Sequence, residues 1–212
     1  LYMQNVPDQT KIKKSRQQAY AFGDGDDDYL LHLEDILRRI HDVYYKTVES
    51  VQSQAPEEVK NNPNILKYCT PGTSTPDTKM IMTELRRDVL RGVNVVFTGV
   101  IPTSTIQEDS QPWRVARALG ANVSNAIVTP KDTNSIGDVT THVIAGRLGT
   151  EKSYRAVKSR GIKVVNPGWL FCCFERWEKV DERLFPVEGL EKYRSEERRV
   201  GKECRSRWSP YH

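Results

Sequence analysis

Long apolar runs are missing. No stretch of the 212 residues approaches the roughly 18 to 20 consecutive apolar residues that a membrane-spanning helix needs. Cysteine is scarce and irregular: four residues, Cys69, Cys172, Cys173 and Cys204, with neither the spacing of a disulfide framework nor the C-x2-C step of a zinc site. The four histidines, His32, His41, His142 and His212, form no ligand set with them. No nucleophile–base constellation stands out, which argues against catalysis by this chain alone. The N-terminus, LYMQNVPDQTKIKK, has neither an initiating methionine nor the charged-then-apolar pattern of a signal peptide. The chain therefore reads as a fragment from a reducing, intracellular compartment.

What is present is charge, at 28% of residues, and a mean hydropathy of −0.62. The net charge of +4 invites a nucleic-acid reading, but its source matters. The last nineteen residues, RSEERRVGKECRSRWSPYH (194–212), carry six Lys/Arg against three Glu and so hold +3 of that charge. They read as the translation of a sequencing-library adapter and are set aside, Cys204 with them. The remaining chain is close to neutral, which disfavours direct DNA binding.

Residues 1–28 are polar, with a basic patch KIKKSR (Lys11 to Arg16), a candidate import signal or a solvated surface run, before the acidic GDGDDD (Gly23 to Asp28). Nothing there could bury a core, so the segment is expected to be disordered. Leu30, Leu33, Leu37, Ile40 and Tyr44 then recur at helical spacing, with Ile36 and Val43 alongside, predicting an amphipathic helix over 29–46. Residues 47–76, rich in Gln, Asn, Ser, Thr and Pro, read as a linker. A helix over 77–91 follows, with Ile81, Leu85 and Val89 on the face that packs on the next domain.

From 92 to 190 strand and helix patterns alternate. NVVFTG, ANVSNAI, THVIAG and KVVN are short apolar strands; QPWRVARALG and TEKSYRAVKSRG are helices that end in glycine. VVNPGWLFCCFERW (164–177) opens the third helix, where Asn166 can cap, Pro167 suits the first position, and Trp169 and Cys173 fall four apart on one face. The adjacent cysteine pair is then packing rather than chemistry. Four strands and three helices predict an α/β fold with a four-stranded parallel sheet, preceded by amphipathic helices and disordered linkers.

These motifs resemble the BRCT domain: a first strand ending in FTG, a first helix closing on LGA at Leu119 to Ala121 with Gly120 at its end, a third strand THVIAG, and a Trp169 helix after VVNP with Cys173 four residues on. More widely, DYLLHLEDILRRIHDVYY, GTEK (Gly149 to Lys152) and NPGWLFCCFERWEKVDERLFP are similar to the C-terminal part of the FCP family, the TFIIF-associating phosphatases of the RNA polymerase II C-terminal domain. That resemblance implies a nuclear protein serine/threonine phosphatase. Its aspartate nucleophile, in a D-x-D-x-T motif, and its magnesium would belong to a catalytic domain preceding this chain. PDQT (Pro7 to Thr10) and DGDDD (Asp24 to Asp28) are only superficial matches to that motif and read as loop. The implied partners are the phosphorylated polymerase C-terminal domain and TFIIF, with no membrane and no cofactor in this chain.

A phosphate could sit at the carboxyl edge of the sheet. Strand one ends in Thr98-Gly99, a hydroxyl and an unhindered N–H, while Lys152 lies in the first turn of a helix that Thr150 would cap. A lysine there opposes the helix dipole unless an anion stands opposite. The positions match those at which phosphopeptide-binding BRCT domains resemble one another. The plainer alternatives are that Thr98 ties down a turn, Gly99 meets a backbone need and Lys152 is solvated. Two functions therefore compete: a phosphoserine-docking module, and a structural interaction module that binds no phosphate. Convergence of Thr98 and Lys152 separates them.

Overall fold

A computed structural model describes residues 29–190 apart from 103, 134 and 160. The segment 1–28, with its basic patch, and the tail 194–212 lie outside the described residues.

Helix α1 spans Tyr29–Ser53 and so runs well past the expected end at residue 46. Thr47 and Ser50, polar enough to read as linker, return their hydroxyls to the carbonyls of Val43 and Lys46 at 2.7 and 2.8 Å and stay helical. Residues 47–76 are correspondingly not a linker. They hold two short helices, α2 (Pro56–Lys60) and α3 (Pro63–Leu66), each opened by proline, and a small core of Val59, Ile65 and Cys69 against Val51. Those apolar residues stand one to a helix or turn, too sparse to show a period.

Helix α4 (Thr78–Val89) is capped by Asp77, whose carboxylate accepts from the Lys79 amide at 2.9 Å. Ile81, fully buried, meets Ile36 and Ile40 of α1 and Trp177, with Val43, Tyr44 and Leu85 packed around them. The buried stripe of α1 is therefore rotated from the one its leucines suggest. Leu30 and Leu37 remain 69% and 56% exposed. The helix is apolar around much of its girth, and the elements it crosses decide which side is covered.

The strands are β1 (Asn94–Thr98), β2 (Asn122–Ser124), β3 (His142–Ala145) and β4 (Lys163–Val165). They form one parallel sheet in the order β2-β1-β3-β4, with Val96 opposite Val143 and Val143 opposite Val164. Both central strands are covered on two faces, which is why they read as unbroken apolar runs. On one face Val95, Phe97, Ile144 and Val165 meet helix α5 (Gln111–Ala118) and helix α7 (Pro167–Arg176). On the other, Val96, Val143 and Val164 meet Ala156 of helix α6 (Glu151–Lys158) together with Ile127 and Ile162. No described helix is long and apolar enough to cross a membrane.

Helix α7 follows its sequence signals. The Asn166 side chain accepts from the Gly168 amide at 2.8 Å, and Pro167 takes the first position. Trp169 and Cys173 are both fully buried. The Trp169 indole N–H donates to the Val180 carbonyl at 2.9 Å, and the Val180 amide donates to Cys173 Sγ at 3.4 Å. Burial pushes the Cys173 thiol up to about 12, so it stays protonated and unreactive. Trp177 closes the helix in the left-handed conformation, φ 49°. Arg39 of α1 reaches this end, donating to the carbonyls of Trp177 and Arg176 at 3.0 and 3.3 Å, while Arg86 of α4 lies 4.7 Å over the Trp177 ring.

Candidate anion-binding site at the sheet edge

The parallel sheet brings the carboxyl ends of β1 and β3 side by side, and the start of α6 folds over them. Thr98, at the end of β1, is 6% exposed, and its hydroxyl lies 2.7 Å from the hydroxyl of Thr150. Thr150 caps α6: its Oγ1 accepts from the Ser153 amide at 3.1 Å, while the buried Ser153 hydroxyl accepts from the Thr150 amide at 3.0 Å. With one Thr150 lone pair so used, Thr150 can donate its proton to Thr98, which frees the Thr98 proton to point outward.

Thr98, Gly99, Thr150 and Lys152 all line one cleft of about 300 Å³, with Phe97 and Ile101 supplying apolar walls. The four residues expected from the sequence therefore converge. Lys152 is half-buried and forms no ion pair with a described residue. Glu151 also lines the cleft, adding one carboxylate to its wall. Gly99 adopts φ +64°, a conformation that favours glycine, and a β-carbon there would lie 3.1 Å from Arg147 Cγ. Gly146, just past β3, is equally constrained, since a side chain on it would collide with the Gly99 carbonyl. Neither Gly146 nor Arg147 stood out in the sequence; the signal was a small residue then a cation directly after a strand.

A second cleft, about 530 Å³, lies beside β4 and is lined in part by Lys163, Glu182 and Arg183. Lys163 and Glu182 already satisfy one another. Glu182 accepts from Lys163 Nζ at 2.8 Å and from His142 Nε2 at 3.0 Å, and the His142 ring stacks on Trp169 with centroids 4.8 Å apart. Burial alone would raise the Glu182 carboxyl, but the hydrogen bonds from Lys163 and His142 outweigh it and hold the group at about 2. Burial lowers His142 below its usual 6.5, and the bond to Glu182 only partly offsets that.

Both shifts make the folded chain bind protons less readily than the unfolded one, so both contribute stability at neutral pH that acid removes. The His142 contribution is complete above pH 6.5 and declines below it; that of Glu182 is complete above its ordinary 4.5 and is lost as pH falls toward 2. Glu182→Gln is expected to lower the unfolding free energy at pH 7 by about 1–2 kcal/mol. Urea denaturation across pH should show that gap shrinking below pH 4.5; a gap independent of pH would contradict this account.

Residues 85–174 match the family model of the BRCA1 C Terminus (BRCT) domain. Over 160 residues the chain is 37% identical to the human phosphatase of the RNA polymerase II C-terminal domain, covering 76% of this chain and 15% of that protein. It is 30% identical over 189 residues to the corresponding Caenorhabditis elegans phosphatase, covering 88% of this chain and 24% of the relative. The chain thus spans less than a quarter of the length of either. Among solved structures, that of the fission yeast RNA polymerase II CTD phosphatase bound to beryllium fluoride matches at 25% identity and a TM-score of 0.55, covering 84% of this chain and 44% of that one.

Proposed function

Because residues 85–174 form a BRCT domain in a chain that resembles the C-terminal, helix-plus-BRCT part of the FCP family of RNA polymerase II C-terminal-domain phosphatases, we propose that it docks phosphoserine segments of the polymerase C-terminal domain for a phosphatase active site carried elsewhere in the protein. The observation that supports this reading is the convergence of Thr98, Gly99 and Lys152 on one cleft, with Lys152 lacking a carboxylate partner among the described residues. The Thr98 hydroxyl and the Gly99 amide supply directional donors, and Lys152 supplies the charge.

No group of three or more His, Cys, Asp or Glu among the described residues could hold a metal ion. On the resemblance alone, magnesium and hydrolysis itself belong to the catalytic part. A nuclear setting and TFIIF as a further partner enter on the resemblance alone. One cleft in a lone BRCT domain gives modest affinity, made useful by tethering, which raises the effective concentration of substrate at the catalytic part. The hydrogen bond between Thr98 and Thr150 also suits the competing reading, in which Thr98 only braces the cap and the domain is a structural interaction module.

Calorimetric titration of the whole chain with a C-terminal-domain peptide, phosphorylated and unphosphorylated, separates the two. Binding is expected only with phosphate, weakened about tenfold or more in Lys152→Ala. Equal binding of both peptides, or an unaffected variant, would leave the structural module.

A further inference from the structure

Arg147 is an exposed cation beside the cleft that the docking reading leaves unused. Its position is fixed through the backbone: β3 ends at Ala145, the Gly146 amide donates to the Thr98 carbonyl at 3.0 Å, and the bare α-carbon of Gly146 lets the Gly99 carbonyl lie against it. The Arg147 side chain then runs over Gly99, with Cγ 3.1 Å and Nε 3.7 Å from the point a Gly99 β-carbon would occupy. Its shaft fills the space a side chain at 99 would take. Arg147 is exposed and makes no ion pair with a described residue. It is not among the residues that line the cleft, but it lies against Gly99, which is.

We propose that Arg147 makes this edge a reader of two anions: a phosphoserine in the cleft, and a second phosphorylated side chain close by in the same peptide, held by Arg147 beside Gly99. The proposal rests on the docking reading above. The charges at this edge support it: the cleft lining carries one cation, Lys152, and one carboxylate unpaired among the described residues, Glu151, and Arg147 adds a second cation against Gly99. A guanidinium is also the better group for the outer position. Its planar fork takes two phosphate oxygens at once, and a shaft already laid over glycine loses less freedom on binding than a free side chain would. The absence of a side chain at 99 thus serves both sites, leaving the amide open to the first anion and seating the arm that meets the second.

The test titrates the whole chain with C-terminal-domain peptides bearing one phosphoserine or two a few residues apart. The wild-type chain is expected to bind the doubly phosphorylated peptide about five- to tenfold more tightly, beyond the roughly twofold gain that two equivalent phosphates give by statistics. Arg147→Ala should erase that preference and leave the singly phosphorylated peptide within about twofold of wild type, while Arg147→Lys should retain part of it. Lys152→Ala should weaken both peptides. An Arg147→Ala variant that weakens both equally, or one that keeps the preference, overturns the two-anion assignment while the docking reading stands. Wild-type chain that binds neither peptide overturns both.

Discussion

Trp169→Ala is expected to lower the unfolding free energy by about 4 kcal/mol, the largest loss at any single position described above. The indole is fully buried between the sheet and the rest of α7, stacks on His142, and donates its N–H to the Val180 carbonyl. Removing it takes away a large buried surface, opens a cavity beside Cys173, and leaves the Val180 carbonyl without that donor. Most domains of this size have only about 5 to 15 kcal/mol of stability in total, so the variant should be largely unfolded in mild urea. Trp169→Phe keeps much of the volume and loses the hydrogen bond, and should cost about half as much. Urea titrations followed by circular dichroism would show this order. A loss under about 1 kcal/mol for the alanine variant would mean that α7 is not packed on the sheet as described.

Gly120→Ala comes next, at about 3 kcal/mol, from two separate causes. Gly120 holds φ +84°, which costs a residue with a side chain about 1 kcal/mol. A β-carbon there would also run into the Arg87 carbonyl, part of the backbone of α4, where no side chain can swing aside. The ends of α4 and α5 meet backbone to backbone at this point, with the Leu90 amide donating to the Leu119 carbonyl at 2.9 Å. A methyl group would push the two helices apart. Gly92 supplies the control. It has nearly the same backbone conformation, φ +76°, with nothing within 4 Å of a β-carbon, so Gly92→Ala should show only the conformational cost of about 1 kcal/mol. Equal losses for the two variants would remove the contact with Arg87 from the explanation.

The sheet was legible because β1 and β3 are covered on both faces and so read as apolar runs of strand length, and because Asn166, Pro167 and Asp77 announce helix starts. The convergence of Thr98 and Lys152 was legible for a topological reason: the ends of adjacent parallel strands, and the helix after one of them, must lie close together. Residues 47–76 were not legible, since Val59, Ile65 and Cys69 form a core without forming a period. The covered side of α1 was misjudged because its leucines and isoleucines surround the helix, and only the crossing with α4 and the end of α7 selects Ile36 and Ile40. Arg147 carries only a weak signal, a cation two residues past the end of a strand. Its meaning appears only once Gly99 and Gly146 are known to touch.

The clasp of Arg39 on the last carbonyls of α7 bears on what can be inherited or transplanted as one module. The family match begins at residue 85, inside α4, yet an excision there would strip Ile36, Ile40 and Ile81 from Trp177 and uncap the helix that carries Trp169. The portable unit therefore begins with α1. A recombination that moved the domain to another protein without that helix would deliver a sheet whose Trp169 helix had lost the cap on its last carbonyls, which binds the helical segment and the domain to a shared evolutionary fate.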